Sequence, residues 1–203
     1  EDLVVRRQRR RLFPRAALVG LLAGLTAALF RTLLGEADVL RNTLLNWSQK
    51  LSGWGWIFPM LLNMVAAASA FMLVIRYAPE TSGSGIPHLE AVLHRLRVLK
   101  WKRVLPVKFL SGVLAIGGGL ALGREGPTVQ MGGAVGDAIA NWLRVPPRER
   151  RILIAAGAGA GLAAAFNAPL AGVMFVLEEI QRDFHPFVFG ATFLASAIAD
   201  IVV

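Results

Sequence analysis

The chain carries the form Gly-X-X-X-Pro at Gly83-Ser84-Gly85-Ile86-Pro87 and again at Gly123-Arg124-Glu125-Gly126-Pro127. Each of these two segments is followed by residues whose pattern predicts a helix. Pro87 and Pro127 suit the first helical position, because the N–H that proline lacks would have no partner there. The glycines let the backbone approach a ligand closely. Two interrupted helices, each with an open N-terminal end, are therefore predicted.

Long apolar segments surround these two breaks. Only 17% of the 203 residues are charged, whereas a soluble domain carries about 25%. No Asp, Glu, Lys or Arg interrupts the segments 16–30, 51–75, 109–123 and 152–177. A bilayer crossing needs roughly 20 apolar residues, so 51–75 and 152–177 can each span, and the shorter segments predict tilted or partial helices. A soluble domain with an apolar core is the alternative, but its helices would keep a polar stripe.

Basic residues are concentrated beside the apolar segments and give the chain a net charge of +9. Arginines crowd 6–15, and a second basic cluster spans 95–108 and ends at Lys108. The positive-inside rule assigns both clusters to the cytoplasmic side. A nucleic-acid surface is the rival interpretation, but beside membrane segments we expect no nucleic-acid partner. We expect residues 1–15 to form a basic cytoplasmic N-terminal arm and 16–203 a multi-pass transmembrane domain.

Glycine and proline divide the chain into successive helices, and strand signals are nearly absent. An all-α integral membrane protein is therefore predicted, with a polar, amphipathic connector at 35–50. The predicted helices cover about 16–34, 54–77, 88–96, 105–122, 128–143, 149–165, 170–182 and 186–203.

The open helix ends have a chemical consequence. The first turn of a helix presents unpaired N–H groups and a partial positive charge, which makes an anion site without a full cationic charge. Interrupted helices that converge near the bilayer midplane are a recurring device of transporters. Either break alone is equally well explained as an ordinary turn between helices. Two breaks of the same form favour an anion site.

Two side chains within the breaks bear on this site. The Ser84 hydroxyl can donate a hydrogen bond to an anion, although a serine beside a helix start is also a common cap. The Glu125 carboxylate competes with an anion for the same amides while it is ionised, and it can swing away once it is protonated. A surface pair between Arg124 and Glu125 is the alternative, but adjacent helical residues do not face each other.

Both motifs resemble the N-terminal signature motifs of the CLC family of chloride channels and transporters. The stretches 105–109 and 161–172 are also similar to bacterial members, and the similarity continues through Leu177-Glu178-Glu179. The resemblance implies a CLC-type inverted-repeat fold, of which this chain would be the first repeat. It further implies chloride transport across a bacterial inner membrane by chloride/proton antiport.

The resemblance also assigns residues. It implies that chloride is bound at Gly83, Ser84, Gly85, Ile86, Arg124, Glu125 and Gly126. Glu125 would be the gating glutamate, and Glu179, assisted by Glu178, would transfer protons on the inner side. Ionisable residues at the end of an uncharged run often mark proton pathways, but they can equally mark the membrane edge. Serine at position 84 favours chloride, because nitrate-preferring members tend to have proline there.

One departure from the family is large. Members have a second, inverted repeat that supplies another anion-facing helix start and a tyrosine, whereas Tyr77 of this chain precedes the first break. We expect the chain to be part of a longer protein. A passive chloride channel and a non-transporting half-subunit or scaffold remain alternative functions. The resemblance also implies a homodimer formed through 170–203, and we expect no enzymatic activity, no metal and no cofactor besides the transported chloride and protons.

Overall fold

A computed structural model of the chain describes residues 2–50, 55–182 and 184–203, with side chains from residue 11 onward. All regular secondary structure in these residues is helical, without a strand, so the predicted all-α class is confirmed. A 3₁₀ turn, Pro79–Thr81, precedes α3, and a π-helical segment, Val176–Gln181, continues α7. The helices are α1 Asp2–Ser48, α2 Ile57–Tyr77, α3 Ile86–Leu93, α4 Trp101–Gly117, α5 Glu125–Trp142, α6 Pro147–Phe166, α7 Pro169–Phe175 and α8 Pro186–Val202.

The first helix is much longer than predicted. The expected helix at 16–34 and residues 35–48 of the expected connector form one unbroken helix, which also includes residues 2–15 of the predicted N-terminal arm. The connector prediction is wrong because charged residues are good helix formers when they pair along one face. Asp38 and Arg41, three positions apart, form an ion pair of 3.0 Å there. The division into arm and membrane domain stays a prediction.

The other helix boundaries shift by a few residues. The predicted start of the second helix, residue 54, lies outside the described residues. Pro87 is the second residue of α3 and Pro127 the third residue of α5, so neither occupies the predicted first position. The helical backbone begins before each proline, and this is tolerated because amides throughout the first turn lack intrahelical acceptors.

Small residues allow the central helices to pack almost backbone to backbone. Residues 152–165 of α6 are buried without interruption. Gly132 of α5 lies against Gly157, and Gly136 lies against Leu153, with no room for a Cβ atom at either glycine. Glycine-mediated helix packing of this kind is typical of membrane proteins. The packing fixes α5 firmly against the core.

The outer surface is strongly apolar. Within the described ranges, two helices are long and apolar enough to cross a bilayer alone, namely the Arg11–Ser48 part of α1 and α2. Only Ala70 of α2 is buried, while large hydrophobic side chains such as Met64, Phe71 and Ile75 are exposed. An apolar surface of this extent indicates contact with lipid.

Candidate anion site

Both glycine-proline breaks line one cavity of about 560 Å³. The first break contributes Gly83 and Ser84, with residues 81–82 just before it, and the second contributes Gly123, Glu125, Gly126 and Pro127. The remaining walls come from α4 and α2. Two segments that lie far apart in the sequence therefore meet at one place, with the start of α5 at its edge.

The two breaks touch at Gly126 and Ser84. A Cβ atom on Gly126 would lie 2.8 Å from the Ser84 carbonyl oxygen and 2.9 Å from its Cβ. Real Cβ atoms do not come so close to backbone atoms, because close packing leaves no overlap of this size. Glycine at position 126 is thus what allows the start of α5 to approach the first break.

The first break adopts a backbone that favours glycine. Gly83 and Gly85 have φ angles of 67° and 82°, in the left-handed region that glycine enters without steric cost. Ser84 lies between them and is exposed to the cavity. Its Oγ accepts a hydrogen bond of 3.4 Å from the Ile86 N–H, which leaves its hydroxyl proton available to another acceptor. Ser84 can therefore support the turn and still donate toward the cavity.

Lys108 is a site residue that sequence reasoning placed in the wrong environment. Its side chain is 4% exposed, and its Nζ donates to the carbonyl oxygens of Thr81 at 2.9 Å and Gly83 at 2.6 Å. Lys108 is therefore buried and does not belong to an exposed basic cluster, while the cytoplasmic side of that cluster stays a prediction. The only signal in the sequence is its position between apolar residues of one helix, where a charge needs a partner.

The electrostatics of the cavity differ from the sequence-based expectation. An anion site without a full cationic charge was expected, but the Lys108 ammonium lines the cavity. Its two carbonyl partners direct negative dipole ends at the ammonium and so reduce the field that an anion would feel. The cavity therefore combines a moderated cation with the positive end of α5.

Glu125 and Arg124 point in different directions. The Glu125 side chain folds back so that a carboxylate oxygen lies against the Cα of Gly123 and borders the cavity. The Arg124 guanidinium instead donates to the Ala165 carbonyl oxygen at 3.3 Å, near the end of α6. The two side chains form no surface pair. A contribution of Arg124 to anion binding stays a prediction and would have to come from its backbone.

Gln130 is a second residue that sequence reasoning missed. It is fully buried in α5, and its Nε2 donates to the Glu80 carbonyl oxygen at 3.0 Å and lies 3.2 Å from His88 Nδ1. Gly85 packs directly against it. The amide side chain thus holds the first break and α3 against α5. No sequence pattern distinguishes Gln130 from other polar residues.

Not every predicted site residue reaches the cavity. Among the described residues, Gly85, which is buried, and Ile86, which is partly buried, do not line the cavity. Glu178 and Glu179 also lie elsewhere, exposed on the π-helical segment Val176–Gln181. Such π-bulges occur frequently at functional sites. The proton-transfer roles of the two glutamates stay predictions, as do the individual chloride contacts. The described residues contain no group of three or more His, Cys, Asp or Glu side chains that could hold a metal ion.

With apolar helices exposed on the outside and interrupted helices meeting inside, this is an integral membrane protein of the discontinuous-helix class. The family model described as voltage gated chloride channel matches residues 65–203. The chain belongs to this family, the CLC proteins.

Individual relatives support the assignment. The chain is 44% identical over 193 residues to the H(+)/Cl(-) exchange transporter ClcA of Vibrio vulnificus strain YJ016, covering 92% of this chain and 41% of the relative. It is also 44% identical over 171 residues to ClcA of Cronobacter sakazakii, covering 84% and 37%.

Solved structures confirm the predicted CLC-type fold. A slow cyanobacterial Cl-/H+ antiporter matches with a TM-score of 0.89 and 38% identity, over 95% of this chain and 46% of that structure. A eukaryotic CLC transporter matches with a TM-score of 0.79 and 25% identity, over 95% and 37%. The chain therefore spans less than half the length of these relatives.

Proposed function

We propose that this chain supplies the first half of a chloride/proton antiporter of a cell membrane. The observation that carries the proposal is that both breaks, Lys108 and Glu125 border one cavity. The similarity to proteins named exchange transporters supports the same activity. Because the chain covers 41% of the Vibrio vulnificus relative, the activity belongs to the whole protein.

The chemistry of the cavity supports binding that is strong enough to hold chloride and weak enough to release it. Peptide N–H groups at the start of α5 and the Ser84 hydroxyl donate to the anion. Lys108 adds a positive charge that its carbonyl partners moderate. Helix ends and hydroxyl donors act at short range, so they favour a small anion that has lost its water. Because they carry no full charge, they do not bind this anion too tightly for release.

Glu125 couples chloride to protons in this proposal. As the first residue of α5, its carboxylate can occupy the anion position at that helix end while it is ionised. Proton uptake removes its negative charge and turns it into a donor, so chloride replaces it. Chloride and proton then exchange because one site accepts either the carboxylate or the anion.

Glu179 and Glu178 are proposed to deliver protons from the inner side. Both are exposed on the segment that follows α7, where water can reach them. The proposed topology is that of a bacterial inner membrane protein with a cytoplasmic N-terminus, supported by the arginine-rich segment 6–15 and the positive-inside rule. We assign the two glutamates to the same cytoplasmic side.

A homodimer through 170–203 is part of the proposal. The α8 side chains Phe189 and Phe193 are exposed and stack with ring centroids 6.3 Å apart, and Ile201 is also exposed. An exposed aromatic face supports either a partner subunit or lipid. Cysteine pairs introduced on this face and oxidised in native membranes would cross-link a dimer and leave a monomer unlinked.

Reconstitution tests the function. The protein expressed from its native reading frame is placed in liposomes, and chloride efflux and internal pH are recorded together. We expect coupled movement, with Glu179→Gln abolishing proton movement while chloride flux persists, and Glu36→Gln, an exposed carboxylate of α1, leaving both unchanged. Proton-free flux in the parent protein would indicate a passive channel.

A non-transporting half-subunit or scaffold is the alternative function. The same recording separates the two. A protein that inserts and folds but moves neither ion would overturn the antiporter proposal and support a half-subunit that assembles with another polypeptide.

A further inference from the structure

A second cavity, of about 400 Å³, lies at the N-terminal end of α6. Arg95 borders it from the segment after α3, Arg148 and Arg151 from the first turns of α6, and His185 from the residue before α8. It shares no lining residue with the anion cavity. Three separate parts of the chain therefore bring basic side chains to one concave surface.

Nearby carboxylates are already engaged with other arginines. Glu149 pairs with Arg15, Asp137 with Arg150 at 2.6 Å, and Glu90 with Arg182 at 3.4 Å. None of the ion pairs formed by the described side chains, those of residues 11–50, 55–182 and 184–203, involves the three arginines of the cavity, Arg95, Arg148 and Arg151.

The arginines also repel one another and the helix end. Arg95 and Arg148 are both close enough for their charges to act on Arg151. Cations at a helix N-terminus oppose the helix dipole, and Arg148 and Arg151 both lie in the first turns of α6. These two repulsions are unfavourable for the protein on its own. An anion bound between the three guanidinium groups would offset both repulsions.

We propose that this arginine cavity binds a terminal phosphate group, the chemistry shared by inorganic phosphate and the phosphomonoester headgroup of phosphatidic acid. Guanidinium groups match phosphate oxygens with paired, charge-assisted hydrogen bonds. Arg148 and Arg151 are three positions apart on one helix face, which suits contact with a single phosphate.

The surroundings suit an oxyanion that is larger than a halide. A neighbouring cavity of about 600 Å³ is also lined by Arg95, Arg148 and Arg151, so a glycerol-linked headgroup has room. The contact between Arg15 of α1 and Glu149 puts the cavity beside the basic end of α1. In the proposed topology this is the cytoplasmic face, and the ligand binds there apart from the transport path.

Two binding measurements distinguish the sources. The purified protein in phosphatidylcholine nanodiscs is titrated with radiolabelled inorganic phosphate at constant chloride and ionic strength. In the second arm, phosphate is omitted and nanodiscs contain phosphatidic acid, with retained lipid counted by native mass spectrometry. Binding in the first arm identifies free phosphate as a ligand, and retention only in the second identifies the lipid headgroup.

Variants locate the bound phosphate. We expect R148Q/R151Q to weaken binding of the active probe by about tenfold or more, since each charge-assisted pair contributes that much. The double variant K102Q/R103Q removes two exposed charges at the start of α4 and should bind like the parent. Arg95→Gln provides an independent single-charge variant should R148Q/R151Q not fold.

Binding of neither probe, or equal loss in the arginine-cavity and α4 variants, would overturn the proposal. Transport is not part of either readout, so these outcomes leave the antiporter proposal standing.

Discussion

The Nζ atom of Lys108 donates a hydrogen bond of 2.6 Å to the carbonyl oxygen of Gly83, 25 residues earlier in the chain. A second bond reaches the Thr81 carbonyl oxygen at 2.9 Å. Through these contacts, α4 holds the backbone that leads into α3. The lysine thus supports the shape of the first break as well as the charge of the cavity.

Lys108→Met should weaken both the fold and the site. Methionine fills similar space but leaves two carbonyl oxygens without their charged donor, and such bonds contribute about 1.5–3 kcal/mol each. We expect a free energy of unfolding lower by about 2 kcal/mol and a chloride affinity reduced about tenfold, measured by thermal unfolding and titration calorimetry. Lys102→Met, an exposed lysine on the same helix, is the control. Parent-like chloride binding in Lys108→Met would show that the lysine is dispensable.

Gly126→Ala should push the two breaks apart. The new Cβ would lie 2.8 Å from the Ser84 carbonyl oxygen, and overpacking of this kind costs about 1–3 kcal/mol. We expect loss of stability and of chloride binding in the same titration. Gly35→Ala is the matched control, because nothing lies within 4 Å of a Cβ there, and it should stabilise α1 by about 0.5–1 kcal/mol. Tolerance of both substitutions would contradict the close approach.

Glu125→Gln should separate chloride movement from proton movement. Glutamine has a similar size but cannot exchange a proton or compete with chloride through charge. In liposomes, chloride flux should persist while the accompanying pH change disappears. The exposed Glu36→Gln should retain coupling. Proton coupling that survives in Glu125→Gln would remove this residue from the mechanism.

Arg150→Gln should destabilise the protein through Asp137. Arg150 Nε lies 2.6 Å from Asp137 Oδ1, and the Asp137 side chain is 0% exposed. Loss of the arginine leaves a buried carboxylate unpaired, at a cost of about 3 kcal/mol or more. Thermal unfolding should show a large decrease for R150Q, little change for R103Q and partial recovery for D137N/R150Q. Equal stability of R150Q and R103Q would argue against the pair.

The helix interruptions could be predicted because glycine, proline and asparagine act on the local backbone. The breaks at 83–87 and 123–127 occur where expected. Asn167, with φ of 52°, ends α6, and Pro169 begins α7. These residues restrict or relax φ at their own positions, so no knowledge of the rest of the fold is needed.

Contacts between distant segments could not be predicted in the same way. The positive-inside rule counts charges but says nothing of burial, so it does not distinguish Lys108 from the exposed lysines before it. The continuity of α1 depends on pairing between its side chains. The π-helical turn at Val176–Gln181 has no residue pattern that would predict it. Gln130 became recognisable only through its bond to the Glu80 carbonyl oxygen.

Crystals grown with bromide in place of chloride provide the most direct measurement. The account predicts an anomalous peak inside the cavity, bordered by the amides around Ser84 and at the start of α5. Anomalous peaks confined to other sites, with this cavity vacant at saturating bromide, would contradict the claim that the two interrupted helices together bind a halide.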